Sequence, residues 1–295
     1  MTTSLLSAFS SPALNPPRVP SGEADSATIF LQMVAQLSHA DTSLRYYAAW
    51  WLGKFGRQAQ VTPELRAQAV SALIEALADQ ADRTELGGYP LRRNAARALG
   101  KLGDLRAVSP LIACLACEDF YVREAAAQAL GQLGDLVAIP PLLELLAGGV
   151  AAAQFVPGRP HLIQPYEAVL ESLGQLQAKD AVPEIRPFLN HSMDRVKFAA
   201  ARALCQLTGD AAAAELLIQA LNSPDVQLRR SALLDLGATG YLPAASAIAG
   251  AAVENSFKLI ALRGLVQGAM RVVDLSQSDF PPELTELLML MDGLL

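Results

Sequence analysis

Apolar residues recur along the chain at three- and four-residue intervals, and the pattern itself repeats. In residues 91–104, LRRNAARALGKLGD, and residues 122–135, VREAAAQALGQLGD, an Arg, two Ala, an Ala-Leu-Gly and a closing Leu-Gly-Asp fall at the same places. The spacing puts Leu99 with Leu102, and Leu130 with Leu133, on one face of a helix. The same frame fits LRYYAAWWLGKFG from 44, PYEAVLESLGQL from 165, VKFAAARALCQLTGD from 196, LRRSALLDLGATG from 228 and FKLIALRGLVQG from 257. The place held by Arg92 and Arg123 is Arg45, Tyr166, Lys197, Arg229 or Lys258 elsewhere, in steps of 47, 31, 43, 31, 32 and 29 residues. A period near 31, lengthened before Arg92 and before Tyr166, is that of a stacked solenoid.

Each unit holds a second apolar segment, as in RAVSPLIACLAC (106–117) and LVAIPPLLELLAG (136–148), with Pro near its first turn, where a missing N–H costs little. Gly103 and Gly134 suit the end of the first helix, and Asp104 and Asp135 the turn that follows. The expected fold is all-α, an α-solenoid or superhelix of about seven αα-hairpin repeats. Alanines at the repeated positions let neighbouring helices approach closely.

Composition narrows the function. Over 295 residues, 52% are hydrophobic and 18% charged, enough for a large core. The net charge of −6, with no concentration of Lys or Arg, disfavours a nucleic-acid partner. No run of apolar residues is long enough to insert in a membrane. Three cysteines without framework spacing suggest reduced thiols and a cytoplasmic location. Residues 1–27, rich in Pro and Ser, read as a flexible tail; residues 28–295 read as one solenoid closed by a C-terminal capping helix.

The string VREAAAQALGQLGD followed by AIPPLLELL resembles HEAT-like repeats of the phycobilisome-lyase type over essentially all of residues 28–275. With LRYYAAWWLGKFG in the first repeat and a Pro-rich segment before it, the chain resembles the E subunits of the E/F-type phycocyanobilin lyases of cyanobacteria. The resemblance implies attachment of an open-chain tetrapyrrole, phycocyanobilin or a related bilin, to a cysteine of a phycobiliprotein α subunit. It also implies an F-type subunit as heterodimer partner and the bilin as substrate, with no permanently bound cofactor.

In such repeats, the resemblance implies, the helix with the repeated Arg lines the concave face, so its variable positions face a ligand or a partner. These are Tyr46, Tyr47 and Trp50, then Tyr89, Arg93 and Arg97, then Phe120, Tyr121, Glu124 and Gln128; Asn94, Glu167, Glu171, Arg195, Phe198, Arg202 and Arg230 share the face. A bilin is flat and mostly apolar, with propionates and pyrrole nitrogens, so it asks for aromatic walls, cations and a carboxylate. Arg93 and Arg97, four apart, suit propionates, and Glu124 suits either a hydrogen-bond acceptor for protonated pyrrole nitrogens or a proton donor during thiol addition. The bland reading remains beside this one: charged helix faces are often only solvated, and aromatics in a first repeat also cap a solenoid's open end or meet a partner.

Trp51 falls at the packing position of Ala98. Arg45, Arg92, Arg123 and Arg229, with Asp104, Asp135 and Asp210, suggest an inter-repeat ladder of hydrogen-bonded pairs. Cys114, Cys117 and Cys205 read as packing residues, and His39, His161 and His191 lack metal-ligand spacing. The insertions at 80–90 and 148–165 lengthen loops beside the third repeat, where Arg159 and His161 come within reach of a ligand. The alternative function is a non-catalytic bilin- or phycobiliprotein-binding scaffold used in antenna assembly or breakdown; turnover of bilin onto an acceptor distinguishes the two.

Overall fold

The seven segments of the repeated frame are the helices Thr42–Phe55, Pro90–Leu102, Phe120–Leu133, Tyr166–Gln175, Asp194–Thr208, Val226–Thr239 and Asn255–Met270, here called the A helices. They come from a computed structural model that describes residues 23–81, 83–85, 87–270 and 282–295. Between them run the B helices Pro63–Ala76, Val108–Cys114, Ile139–Glu144, Val182–Ile185, Ala211–Ala220 and Ala245–Gly250. Among the described residues there is no strand, only an isolated bridge between Phe155 and Leu162. The expected tail over 1–27 lies mostly outside the described residues, and helix Glu23–Gln36 already begins within it.

Four A helices end in a left-handed glycine: Gly103, Gly134, Gly209 and Gly240 have φ of 76°, 77°, 68° and 72°. The aspartate after the first three starts the next element, with Asp104, Asp135 and Asp210 accepting the amides of Arg106, Val137 and Ala212, each at 3.0 Å. Helix Glu23–Gln36 packs on the first A and B helices, and helix Pro282–Asp292 on the last of each. The latter buries Leu284 and Leu287 and leaves Leu288 and Met289 exposed.

Successive A helices lie side by side with their backbones almost touching. A Cβ added at Gly53 would stand 2.8 Å from Ala98 Cα, at Gly100 2.8 Å from Ala129 Cα, and at Gly174 2.9 Å from Ala203 Cα. The Ala-Leu-Gly of the frame is therefore a contact surface: the small residues meet, and the Leu turns into the core, where Leu99, Leu130 and Leu173 are fully buried. Trp51 takes its expected packing place, against Phe30 and Phe55 at 6.1 and 4.9 Å between ring centres.

The repeated arginines tie repeats together, but not as an Arg–Asp ladder. Arg123 donates to the carbonyls of Cys117 and Ile163, both at 2.7 Å. Arg229 donates to those of Ser223 at 2.7 Å and Ala252 at 3.0 Å, and Arg92 to those of Ala78 and Asp79. Among the described residues only Arg45 of this set finds a carboxylate, that of Asp79. The expected partners Asp104, Asp135 and Asp210 are taken up as caps by the amides two residues ahead, while the guanidinium forks of Arg92, Arg123 and Arg229 close over loop carbonyls. Tyr166, at the same place, is buried against Phe188. Burial pushes the Cys114 and Cys205 thiols up to about 11, which keeps them protonated packing groups at neutral pH.

The close approach gives a direct prediction. Gly100→Val would drive a branched side chain into the Ala129 backbone and should cost about 1–3 kcal/mol, with a drop in Tm. Thermal unfolding measures it, and an unchanged Tm would contradict the contact.

Candidate functional site

A cleft of about 570 Å³ opens where both long insertions meet the starts of the second and third A helices. It is lined by Tyr89, Arg93, Phe120 and Tyr121, by Gly87 and Gly88 of the first insertion and by Val156, Arg159 and His161 of the second. Asp119 holds the parts together. It caps the third A helix through the Tyr121 amide at 2.8 Å and accepts the Tyr89 amide at 2.8 Å, so that the first insertion is pinned to the next repeat. The second insertion is held by aromatic contact: the His161 ring stacks on Phe120 at 4.2 Å and 13°, and meets Tyr121 edge-on at 5.8 Å. Arg93 lies over the Tyr121 ring, 5.8 Å from its centre.

The predicted site residues divide around this cleft. Tyr89, Arg93, Phe120 and Tyr121 line it. Tyr89 is a buried wall residue whose hydroxyl donates to Glu118 at 2.8 Å while Arg92 covers its ring. Arg97 and Glu124 stand one helical turn along from Arg93 and Phe120 and face each other at 3.8 Å. The two arginines therefore have separate stations in the free protein, one over an aromatic ring and one beside a carboxylate. Gln128 is half-buried a further turn away. Tyr46 and Trp50 stand exposed on the first A helix, with Tyr47 partly buried beside Trp50 at 5.6 Å, outside the cleft lining. Asn94, a buried position, donates to the Tyr46 carbonyl at 3.2 Å and so joins the two helices.

Burial raises the Glu124 carboxyl above the ordinary glutamate range; Arg97, Arg93 and Arg195 pull it back, and Glu167 adds to the rise. The same face carries a second charged group. Arg202 reaches both Glu171 and Asp235 at 3.4 Å. Burial pushes these two carboxyls up to about 7 and about 6, against the opposing pull of Arg202. Asp235 escaped the reading of the variable positions, yet it occupies the frame place of Ala98, Ala129 and Ala203, and a carboxylate at a packing position is itself a signal.

These features define a HEAT-type α-solenoid with a lined cleft and half-buried carboxylates on its A layer. A family profile described as HEAT repeats matches residues 70–152 and 165–237, and one described as PBS lyase HEAT-like repeat matches residues 44–79. A phycocyanobilin lyase subunit alpha from Thermosynechococcus vestitus is 70% identical over 240 residues, covering 81% of this chain and 87% of that protein. A bilin biosynthesis protein PecE from Mastigocladus laminosus is 45% identical over 235 residues, covering 79% and 80%. In a solved structure of the complex of CpcE and CpcF of phycocyanin lyase from Nostoc sp. PCC7120, one chain is 54% identical with a TM-score of 0.82, covering 98% of this chain and 100% of that one. The chain belongs to the phycocyanobilin lyase alpha-subunit family.

Among the described residues no helix is long and apolar enough to cross a membrane.

The raised Glu171 carboxyl makes stability depend on pH. The unfolded chain loses this proton near the ordinary Glu value of about 4.3, while the native state keeps it up to about 7. Between those values the native state binds the extra proton, so stability falls as pH rises. Glu171→Gln, neutral throughout, should match the parent near pH 4 and exceed it at pH 8 by on the order of 1–3 kcal/mol. Denaturant unfolding at the two pH values checks this; a difference that does not grow with pH would contradict it.

Proposed function

We propose that this chain is the E-type subunit of a heterodimeric bilin lyase. It holds phycocyanobilin or a related open-chain tetrapyrrole as substrate and, paired with an F-type subunit, attaches it through a thioether to a cysteine of a phycobiliprotein α subunit. The observation that carries the site assignment is the adjacency of an aromatic, arginine-bearing cleft to Glu124, a carboxyl raised by burial one helical turn from the cleft wall. A cytoplasmic location fits free thiols at Cys114, Cys117 and Cys205.

The chemistry is an addition. The acceptor sulfur attacks an exocyclic double bond of the pigment, and the neighbouring carbon takes up a proton. Phe120 and Tyr121 give the conjugated rings an apolar face, and Arg93, in the cleft lining, meets a propionate with a charge-assisted contact. Glu124 supplies the proton. A carboxyl whose affinity for protons is raised keeps a usable protonated fraction nearer neutral pH than a solvated one does. Tyr46 and Trp50, exposed beyond the cleft, extend the aromatic surface toward the end of the pigment or toward the partner subunit. Most of the rate then comes from holding pigment and thiol in register, away from water.

Two substitutions separate these roles. Arg93→Ala should weaken pigment binding by roughly tenfold to 150-fold, the equivalent of about 1.5–3 kcal/mol. Glu124→Gln should leave affinity within a few-fold and slow attachment on the order of a hundredfold. Absorbance titration of the pigment and zinc-fluorescence detection of the covalent product, with F-type partner and acceptor present, read both. A Glu124→Gln subunit that attaches pigment at the parental rate would sink the assignment.

A further inference from the structure

The polar groups that line the cleft differ in what they still have to offer. Glu118 accepts from the Tyr89 hydroxyl at 2.8 Å and pairs with Arg83 at 2.9 Å. Asp119 is occupied by two backbone amides at 2.8 Å, and Thr84 Oγ1 by the Gly88 amide at 2.9 Å. Arg93, Arg123 and Arg159 bring positive charge and donors but no lone pair. His161 is different. Its Nδ1 stands 2.9 Å from the Leu162 carbonyl oxygen, a contact that requires a proton on Nδ1, so in the neutral ring the lone pair sits on Nε2. The stack on Phe120 and the edge contact with Tyr121 fix the plane of the ring, and no group among the described residues hydrogen-bonds Nε2.

A proton acceptor held in this way answers a need of the addition. The nucleophile is a thiolate, while an ordinary cysteine, with a pKa near 8.5, is mostly protonated at neutral pH. Resting on the lyase reading above, we propose that His161 is the general base that takes the proton from the acceptor cysteine. The S–H proton passes to Nε2, the sulfur pair forms the S–C bond at the exocyclic alkene carbon, and the π pair collects the proton of Glu124 at the neighbouring carbon. His161 and Glu124 then exchange protons with solvent and return to their starting forms. Thiol plus alkene gives thioether, and no electron acceptor is needed. Arg93, Arg123 and Arg159 around the cleft favour the thiolate as it forms; of the two carboxylates there, Glu118 is paired with Arg83 and Asp119 accepts the Tyr89 and Tyr121 amides.

The test uses the assembled pair with an F-type subunit, phycocyanobilin and an acceptor α subunit. His161→Gln keeps an acceptor near the place of Nε2 but removes its basicity. Phycocyanobilin affinity should stay within about twofold, and single-turnover attachment at pH 7 should fall on the order of a hundredfold. The deficit should narrow as pH approaches the thiol range near 8.5, and added imidazole should restore part of the rate to His161→Ala. Parental attachment by His161→Gln at pH 7, or a deficit in His161→Ala that neither imidazole nor pH relieves, overturns the assignment while leaving the lyase reading intact. A parental pair that attaches no pigment overturns that reading and this assignment with it.

Discussion

The near contact of backbones at Gly53, Gly100 and Gly174 sets the geometry of everything on the A layer. A side chain at any of these places would push adjacent helices apart, and the interlocked Leu residues behind them would lose their fit. With the spacing fixed, the residues one and five places after the repeated basic position form two rows across the layer. Tyr46, Arg93, Glu124 and Glu167 stand in the first, and Trp50, Arg97, Gln128, Glu171 and Arg202 in the second. Neighbours along each row, and diagonal neighbours between the rows, come from different repeats. That is why Arg97 meets Glu124 and Arg202 meets Glu171 without being close in sequence.

The fifth A helix breaks the small-residue pattern, since Cys205 stands where the frame has Gly. Close by, a second opening of about 470 Å³ lies between Arg202, Gln206, Gly237 and Ile260. A buried thiol in place of a hydrogen takes up room between helices, so the layer need not close as tightly here as between the second and third repeats. The two ends of the array thus differ in kind. The N-terminal half combines aromatic rings with long loops, and the C-terminal half presents carboxylates held by one arginine.

Much of this was legible in the chain itself, for a physical reason: a repeat states each structural requirement several times over. Seven helices, their glycine ends and the packing place of Trp51 all follow from the frame. The partners of Arg92, Arg123 and Arg229 did not follow, because they are loop carbonyls, which every residue carries and no sequence pattern marks. The cleft was legible in its residues but not in its shape. Asp119 reaches back 30 positions to the Tyr89 amide, and His161 folds onto Phe120 from a loop with no repeat to fix its course. Tyr46 and Trp50 keep the exposed positions their register gives them, but lie outside the cleft because the insertions that form it meet the second and third A helices.

The position of the pigment in the assembled pair is the measurement that bears most directly on the central claim. A crystal structure of the heterodimer with phycocyanobilin should show the ring system against Phe120 and Tyr121, a propionate on Arg93, and an exocyclic carbon within proton-transfer reach of Glu124. Pigment seated instead in the second opening, against Arg202 and Gln206, with the Phe120 and His161 wall left bare, would contradict the account.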